Sequence, residues 1–438
     1  MKSVRIGRQT QHLGGELSFP GDKSLSHRAI IFGSLAEGTS SFTNVLSAED
    51  CVCTRKAFES MGVAIRQDSP TALTIQGKGL HALKAPEHEI YLGNSGTAMR
   101  LLLGVLAGNS FQAVLTGDPS LSSRPMKRVT DYLAKMGASF EGRNGANFAP
   151  IKVRGGELRG IDANLPIPSA QVKSAILLAG LYAKGKTTVT EPAKSRDHTE
   201  RFLSYFGSKL EEKGLSVSIA GAQKLEARNF RITGDISSAA FFIGMGLLVP
   251  NSRLRFRSVL WNPTRTGIIE VLKRMGAKIE AGSVHEEGPE RAADFSITAQ
   301  SLGAFEIRKD ELPSVIDEVP ILAVLATQAK GVSIIHDAGE LRVKETDRIH
   351  SMMTMLSKMW AKIRAEGNTL FIEGPTALHG REVDSFKDHR TAMSLVVAGM
   401  VASGETLIRD LDCINTSFPG FFEILRMAGA SFQVVDTP

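Results

Sequence analysis

Val129-Thr130-Asp131-Tyr132-Leu133-Ala134-Lys135-Met136-Gly137-Ala138 is a one-sided helix with its stop signal attached. Val129, Tyr132, Leu133 and Met136 follow i, i+3, i+4, i+7 spacing, which lines them along a single face. Glycine just after the last turn is the expected terminator. The closing signal returns at Met61-Gly62-Val63, Phe206-Gly207-Ser208, Met275-Gly276-Ala277, Met359-Trp360-Ala361 and Met427-Ala428-Gly429-Ala430. Successive signals lie about 70 to 84 residues apart, and recurrence at a near-constant period marks a duplicated supersecondary unit.

Working outward, each one-sided helix is preceded by a second helix that is apolar almost all round. Examples are Ala29-Ile30-Ile31-Phe32 through Leu35-Ala36, Leu101-Leu102-Leu103 through Leu106-Ala107, and Ala175-Ile176-Leu177-Leu178-Ala179. Equivalent stretches run over 239–248, 321–329 and 392–402. A helix with no polar face has to be buried. Short β-branched runs such as Thr187-Thr188-Val189-Thr190 and Val332-Ser333-Ile334-Ile335 read as strands between the helices. The repeat is therefore βαβαββ, six times over, and at 438 residues the chain is too long for one core. The expected architecture is α/β with two similar domains of three units each, the first over 21–234 and the second over 235–438. Gly-Asp turns at Gly21-Asp22 and Gly234-Asp235 each precede a buried helix. They place hinges near 19–22 and 233–237, with a cleft between the domains.

Bulk composition excludes several classes. Hydrophobic residues make up 42% and charged residues 22%, as in ordinary globular proteins. The apolar stretches are too short to cross a bilayer, and Met1-Lys2-Ser3-Val4-Arg5-Ile6 lacks the apolar centre of a signal peptide. A cytoplasmic protein is expected. Three cysteines, Cys51, Cys53 and Cys413, offer neither a disulfide framework nor a spaced metal quartet. A net charge of +6 suits small anionic ligands. Nucleic-acid binding would call for basic runs interleaved with stacking aromatics, and the chain has only 2 Trp and 4 Tyr. An NTP-dependent kinase lacks its Gly-x-x-x-x-Gly-Lys-[Ser/Thr] loop.

The helix starts gather an unusual set of residues. Lys23-Ser24-Leu25-Ser26-His27-Arg28, Asn94-Ser95-Gly96-Thr97-Ala98-Met99-Arg100, Ser169-Ala170-Gln171-Val172-Lys173 and Asp388-His389-Arg390 open buried helices, as does Asp317-Glu318. Ser122-Ser123-Arg124-Pro125, Lys194-Ser195-Arg196-Asp197, Asn262-Pro263-Thr264-Arg265 and Arg342 to Arg348 are expected to open the one-sided helices. Cations there oppose the helix dipole and need an anion to compensate them. Guanidinium groups grip carboxylate and phosphate at two points. Asp317 and Glu345 would repel such a ligand, so they point either to proton transfer or to a salt bridge with a neighbouring Arg.

These same stretches carry a resemblance. Pro20-Gly21-Asp22-Lys23-Ser24-Leu25-Ser26-His27-Arg28, Gly93-Asn94-Ser95-Gly96-Thr97-Ala98-Met99-Arg100, Pro168-Ser169-Ala170-Gln171-Val172-Lys173-Ser174-Ala175 and Arg342-Val343-Lys344-Glu345-Thr346-Asp347-Arg348 resemble the 5-enolpyruvylshikimate-3-phosphate synthases. Asp388-His389-Arg390 and Thr416-Ser417-Phe418-Pro419 do so as well. The resemblance covers the whole chain in order. The runs Ser122–Met126 and Ala193–Glu200 are similar to the divergent second bacterial class.

The resemblance implies transfer of the enolpyruvyl group of phosphoenolpyruvate to the 5-hydroxyl of shikimate 3-phosphate, releasing inorganic phosphate through a tetrahedral ketal. It implies a monomer working on these two small anions, with no metal, no organic cofactor and no nucleic-acid or membrane partner. The fold implied is an inside-out barrel in each domain, with residues 1–20 packed into the C-terminal one. Position by position, Lys23, Ser24, Arg28, Ser169, Ala170, Gln171, Arg196, Asp317 and Lys344 would contact shikimate 3-phosphate. Phosphoenolpyruvate would be held by Lys23, Gly96, Thr97, Arg124, Gln171, Arg348 and Arg390. Asp317 would take the proton of the 5-hydroxyl, and Glu345, with Lys23, would donate one to the methylene carbon.

Thr416 stands where many members carry a Lys. Gly96 leaves room beside the phosphate of phosphoenolpyruvate, which implies that glyphosate, an anion of similar size, can enter. An inhibition constant unchanged by Gly96→Ala would refute that idea. The competing assignment is the UDP-N-acetylglucosamine enolpyruvyl transferases, which share the architecture but carry a reactive Cys in a mobile loop; the corresponding segment here, Thr116–Ser122, has none.

Overall fold

In a computed structural model that describes residues 2–436, the chain separates into two compact units. The N-terminal unit comprises Gly21–Ile232 together with Glu286–Glu290. The C-terminal unit comprises the segment up to Pro20, Thr233–His285 and the chain from Arg291 onward. The short piece Glu286–Glu290 is the turn of a hairpin whose arms, Ile279–Glu287 and Glu290–Thr298, lie largely in the C-terminal unit.

Six open four-stranded sheets are present among the described residues, three in each unit, and they share one plan. An edge strand runs parallel to its neighbour, and the remaining pairs are antiparallel. In the sheet of Ile90–Tyr91, Gln112–Thr116, Phe148–Arg154 and Ser139–Gly142, the first pair is parallel and the other two antiparallel. Three sheets borrow strands from far along the chain, one of them by pairing Asn229–Arg231 parallel to Glu37–Thr43. Gly14–Ser18 runs parallel to Arg253–Leu260 in register Gly14↔Arg253. Lys2–Gly7 lies antiparallel between Glu405–Arg409 and Gln433–Asp436.

Six apolar helices form the cores: Lys23–Leu35, Gly96–Ala107 and Ala170–Gly180 in the N-terminal unit, and Ile236–Leu248, Val319–Gln328 and His389–Val401 in the C-terminal unit. Nearly every residue along them is buried, as their uninterrupted apolar composition demands. Four of them are capped by a side chain at the residue before the helix: Asp22, Ser95, Asp235 and Asp388 each accept a backbone N–H from the first turn.

The one-sided helices lie against the sheets. Lys127–Met136 buries Val129, Thr130, Leu133 and Met136 and leaves its charges outward. The recurring stop signal has a single physical cause. Gly62, Gly137, Gly207, Gly276 and Gly429 all have φ between 87° and 122°, a backbone region costly for any residue with a Cβ. Trp360 occupies the equivalent place with φ 73°. There the strain is offset by its ring, which packs 3.8 Å from His379 and under the Arg381 guanidinium. Gly137, at φ 122°, would also bring a Cβ to 3.0 Å from the Glu157 carbonyl. Gly137→Ala is therefore expected to lower stability by about 1–3 kcal/mol, read as a lower urea midpoint with unchanged slope. A midpoint equal to that of the parent would show that the turn relaxes freely.

Gly21 has a different reason. Its φ is ordinary, but a Cβ would lie 1.8 Å from the Asn44 carbonyl oxygen, so it is glycine for close approach. The expected one-sided helix starts also shift. Those helices begin at Lys127, His198, Gly267 and Arg348. Arg124, Arg196 and Arg265 consequently lie in the loops before the helices and do not open them. Asn262 shows why: its Oδ1 accepts from both the N–H and the hydroxyl of Thr264, closing a turn that postpones the helix.

Candidate active site

In the N-terminal unit the helix Lys23–Leu35 starts with Asp22 as its cap, Oδ1 accepting from Leu25 N at 3.0 Å. That cap fixes the first turn and so the direction of Lys23. Lys23 Nζ donates to Asp50 Oδ2 at 3.2 Å, half-way out of the core. One turn on, Arg28 is buried. Its Nε donates to Thr199 Oγ1 at 2.8 Å and its two terminal nitrogens to Ser24 O and Ser174 Oγ. Three of its five N–H groups are thus engaged by the protein. Burial pulls its pKa down to about 10, against the pull of Glu200, Asp22 and Glu290, and the nearby charge of Arg196 adds to the lowering. Two guanidinium groups close enough to repel one another favour an anion beside them.

The second buried helix brings Gly96 and Thr97 to its first turn, capped by Ser95. Gln171, from the third, donates its amide to Thr97 Oγ1 at 2.9 Å and accepts from Arg100. Arg100 also donates to Pro125 O at 3.3 Å. Arg124 donates to Asn94 Oδ1 and to Ser120 Oγ, while Asn94 in turn donates to Asp118 at 2.7 Å. Gly96 lies between the two cations: a Cβ there would be 3.0 Å from Arg100 and 3.3 Å from Arg124. Thr97, Gln171, Arg100, Gly96 and Arg124 form one cluster. Arg100 stands among the cations gathered at the helix starts, though the resemblance gives it no ligand; its place one turn after Gly96 brings it into the cluster.

His27 lies between Lys23 and Arg28. It is fully buried, with Nδ1 2.7 Å from Thr54 Oγ1 and Nε2 3.5 Å from Ser95 Oγ. Burial first, then Lys23 and Arg28, lower its pKa from 6.5 to about 3. Because the unfolded chain binds this proton more readily than the folded one, stability must fall as pH drops below 6.5 and keep falling toward about 3. The full effect is on the order of 5 kcal/mol. Urea unfolding across that range should show a shallower acid limb for His27→Gln than for the parent chain. Identical slopes would mean that His27 charges without cost.

In the C-terminal unit the arrangement centres on Arg348, the first residue of the helix Arg348–Lys358 and only 2% exposed. Its Nε donates to Asp388 at 2.9 Å, and its two terminal nitrogens donate to Asp317 at 3.2 Å and Glu345 at 2.6 Å. Burial works against its charge, but Asp388, Glu345 and Asp317 outweigh burial and hold it well above the ordinary arginine value. Asp388 is fully buried and also caps the helix His389–Val401 through Arg390 N and Thr391 N. Arg390 donates to the Asp317 carbonyl at 3.0 Å and lies 3.6 Å from its carboxylate. Asp317 and Glu345 keep 15% and 22% of their side-chain surface exposed.

The cations that do open helices are therefore compensated by protein carboxylates: Lys23 by Asp50, Arg348 by three, Arg390 by Asp317. The expectation that they wait for a ligand needs this correction, and Glu345 is indeed in a salt bridge with its neighbour. Lys344, half-buried, ends the 3-10 turn Ala338–Val343 in an extended conformation. Arg342 is tied to Asp347 and Gly367 O. Thr416 turns its hydroxyl to Cys413 O at 2.7 Å.

The thiols offer no nucleophile. Cys51 and Cys53 are buried, and burial pushes Cys53 up to about 11 and Cys413 up to about 12. Among the described residues one group, Asp197, His198 and Glu290, has the spacing of metal ligands. Arg201 Nε already lies 3.0 Å from Asp197 and 3.7 Å from Glu290 and serves as their counter-charge. No helix among the described residues is long and apolar enough to cross a membrane.

Comparison with known proteins gives the family of this fold. The family model for EPSP synthase (3-phosphoshikimate 1-carboxyvinyltransferase) matches residues 8–425. A 3-phosphoshikimate 1-carboxyvinyltransferase of Bacillus subtilis (strain 168) is 51% identical over 419 residues, covering 95% of this chain and 98% of the relative. One of Bacillus thuringiensis subsp. konkukian (strain 97-27) is 47% identical over 426 residues, covering 97% and 99%. The solved EPSP synthase of Acinetobacter baumannii superimposes with a TM-score of 0.90 at 41% identity and full coverage of both chains. With a family match spanning nearly its whole length, this chain belongs to the EPSP synthases.

Proposed function

We propose that this chain transfers the enolpyruvyl group of phosphoenolpyruvate to the 5-hydroxyl of shikimate 3-phosphate and releases inorganic phosphate, with Asp317 and Glu345 moving the protons. The observation that supports these roles is a single buried guanidinium, Arg348, gripping both carboxylates while each stays partly open to solvent. A carboxylate held this way keeps a fixed position and can still reach a ligand.

The chemistry needs one proton taken and one given. Asp317 accepts the proton of the 5-hydroxyl as its oxygen bonds to the substituted vinyl carbon, and Glu345 delivers a proton to the methylene end. The resulting ketal expels phosphate by breaking its carbon–oxygen bond, and loss of a methyl proton restores the double bond. Arg124, Arg390 and Lys23 are assigned to the anionic groups of phosphoenolpyruvate, where fixed cations stabilise charge as it moves onto the departing phosphate. Ser24, Arg28, Ser169, Gln171, Arg196 and Lys344 are assigned to shikimate 3-phosphate.

The test is phosphate release on mixing the protein with both substrates. Turnover that needs both is expected, and none with either alone. A folded protein that releases no phosphate from the pair would refute the reading.

A further inference from the structure

Beside the residues assigned to shikimate 3-phosphate, the N-terminal unit holds a buried ionic cluster with no part in the assignments above. Glu191 ends a strand region after Lys186–Thr190 and is only 4% exposed. One of its oxygens accepts the backbone N–H of Ser169 at 3.0 Å. The other accepts the Lys173 ammonium at 2.7 Å and the N–H of Ser195 at 3.3 Å. Lys173 is equally buried and makes a second ion pair, 2.7 Å from Glu200. Burial opposes the Lys173 charge, yet Glu200 and Glu191 overcome it and raise its pKa, so the ammonium persists.

The two serines have something in common. Ser169 precedes the helix Ala170–Gly180 but, unlike Asp22, Ser95, Asp235 and Asp388, makes no side-chain cap bond. The Ser195 hydroxyl is buried and has no hydrogen-bond partner in the protein. A buried hydroxyl left unpaired is costly and calls for an explanation. In both residues the N–H is drawn to Glu191 while the hydroxyl stays unspent, and Arg196 follows directly after Ser195. A carboxylate so near an anion site would repel the ligand unless neutralised, and Lys173 supplies that neutralisation.

We infer that Glu191, with Lys173 as its counter-ion, is a positioning residue for shikimate 3-phosphate: it ties Ser169 and the Ser195–Arg196 turn into one rigid receptor. It touches no substrate and acts through the backbone it holds. The inference rests on the proposed function.

Steady-state phosphate release with Glu191→Gln tests it. The amide keeps the volume but presents an N–H2 group where a second acceptor is needed, so Ser169, Ser195 and Lys173 cannot all be served. The expected result is a KM for shikimate 3-phosphate raised about tenfold or more, as for loss of a charge-assisted hydrogen bond. The KM for phosphoenolpyruvate should stay within about twofold. A cluster that only braces the fold would instead lower kcat through a smaller active fraction, with both KM values unchanged; that result overturns the inference. If Glu191→Gln does not fold, Glu191→Asp carries the same readouts, since it keeps the charge beside Lys173 but is too short to span both serines. A parent enzyme inactive with the two substrates overturns the functional reading itself, and this inference with it.

Discussion

Asp317→Ala should cut turnover by about 10²–10⁴-fold, the range spanned by loss of a positioned proton acceptor. The alanine variant alone is ambiguous, because it also strips Arg348 and Arg390 of a partner. Asp317→Asn separates the two effects. Its amide oxygen can still accept from Arg348, and its backbone carbonyl still receives Arg390, but the side chain no longer takes up a proton. Both variants should be slow in phosphate release, the asparagine binding shikimate 3-phosphate with an affinity within a few-fold of the parent and the alanine more weakly. An asparagine variant retaining most of the turnover would move the base elsewhere.

Arg348→Met should produce the largest loss of stability. Its removal takes the shared guanidinium from Asp388, Asp317 and Glu345, one fully buried and two partly so, and leaves Arg390 beside Asp317. Removing one partner of a buried ionic cluster costs about 3–5 kcal/mol, since the charges left behind stay desolvated. Arg348→Lys should recover only part of this. An ammonium is a point charge on a single nitrogen, whereas the guanidinium reaches the three carboxylates through three different nitrogens. Chemical denaturation of the three proteins should rank them Arg, Lys, Met. If Arg348→Met unfolded within 1 kcal/mol of the parent, the cluster would contribute specificity but no net stability.

What could be read from the letters follows from what each contact depends on. The apolar helices were legible because a helix without a polar face has only one place to go, and Ile236–Leu248 or His389–Val401 needed no partner information. The Met-Gly-Ala signals were legible because backbone conformation there is local. Edge strands such as Ile90–Tyr91 and Glu306–Ile307 are two residues long and carry no pattern to detect. Capping chemistry blurred the helix starts, since a Ser, Asn or Asp can close a turn before the helix as readily as the helix itself. The site residues were visible as types but not as pairs. Arg348 meets Glu345 three residues away, which spacing suggests, but also Asp317 and Asp388 at separations of 31 and 40 residues. Glu191 carries no signal of its own, for a lone Glu after a strand looks like any solvated charge until burial shows otherwise.

The borrowed strands bear on how the polypeptide is made. Lys2–Gly7 and Gly14–Ser18 leave the ribosome well before their partners around Arg253 and Glu405 are translated. Until then both segments are unpaired edges, the kind of surface on which nascent chains stick to one another. The sheets of Gly21–Ile232 are complete once Asn229–Arg231 has joined Glu37–Thr43, so that half can assemble while the remainder is still being decoded. Slowing elongation ahead of the Arg253 codon should accordingly lengthen the window for aggregation, and trigger-factor-like holdases should matter most for residues 2–18.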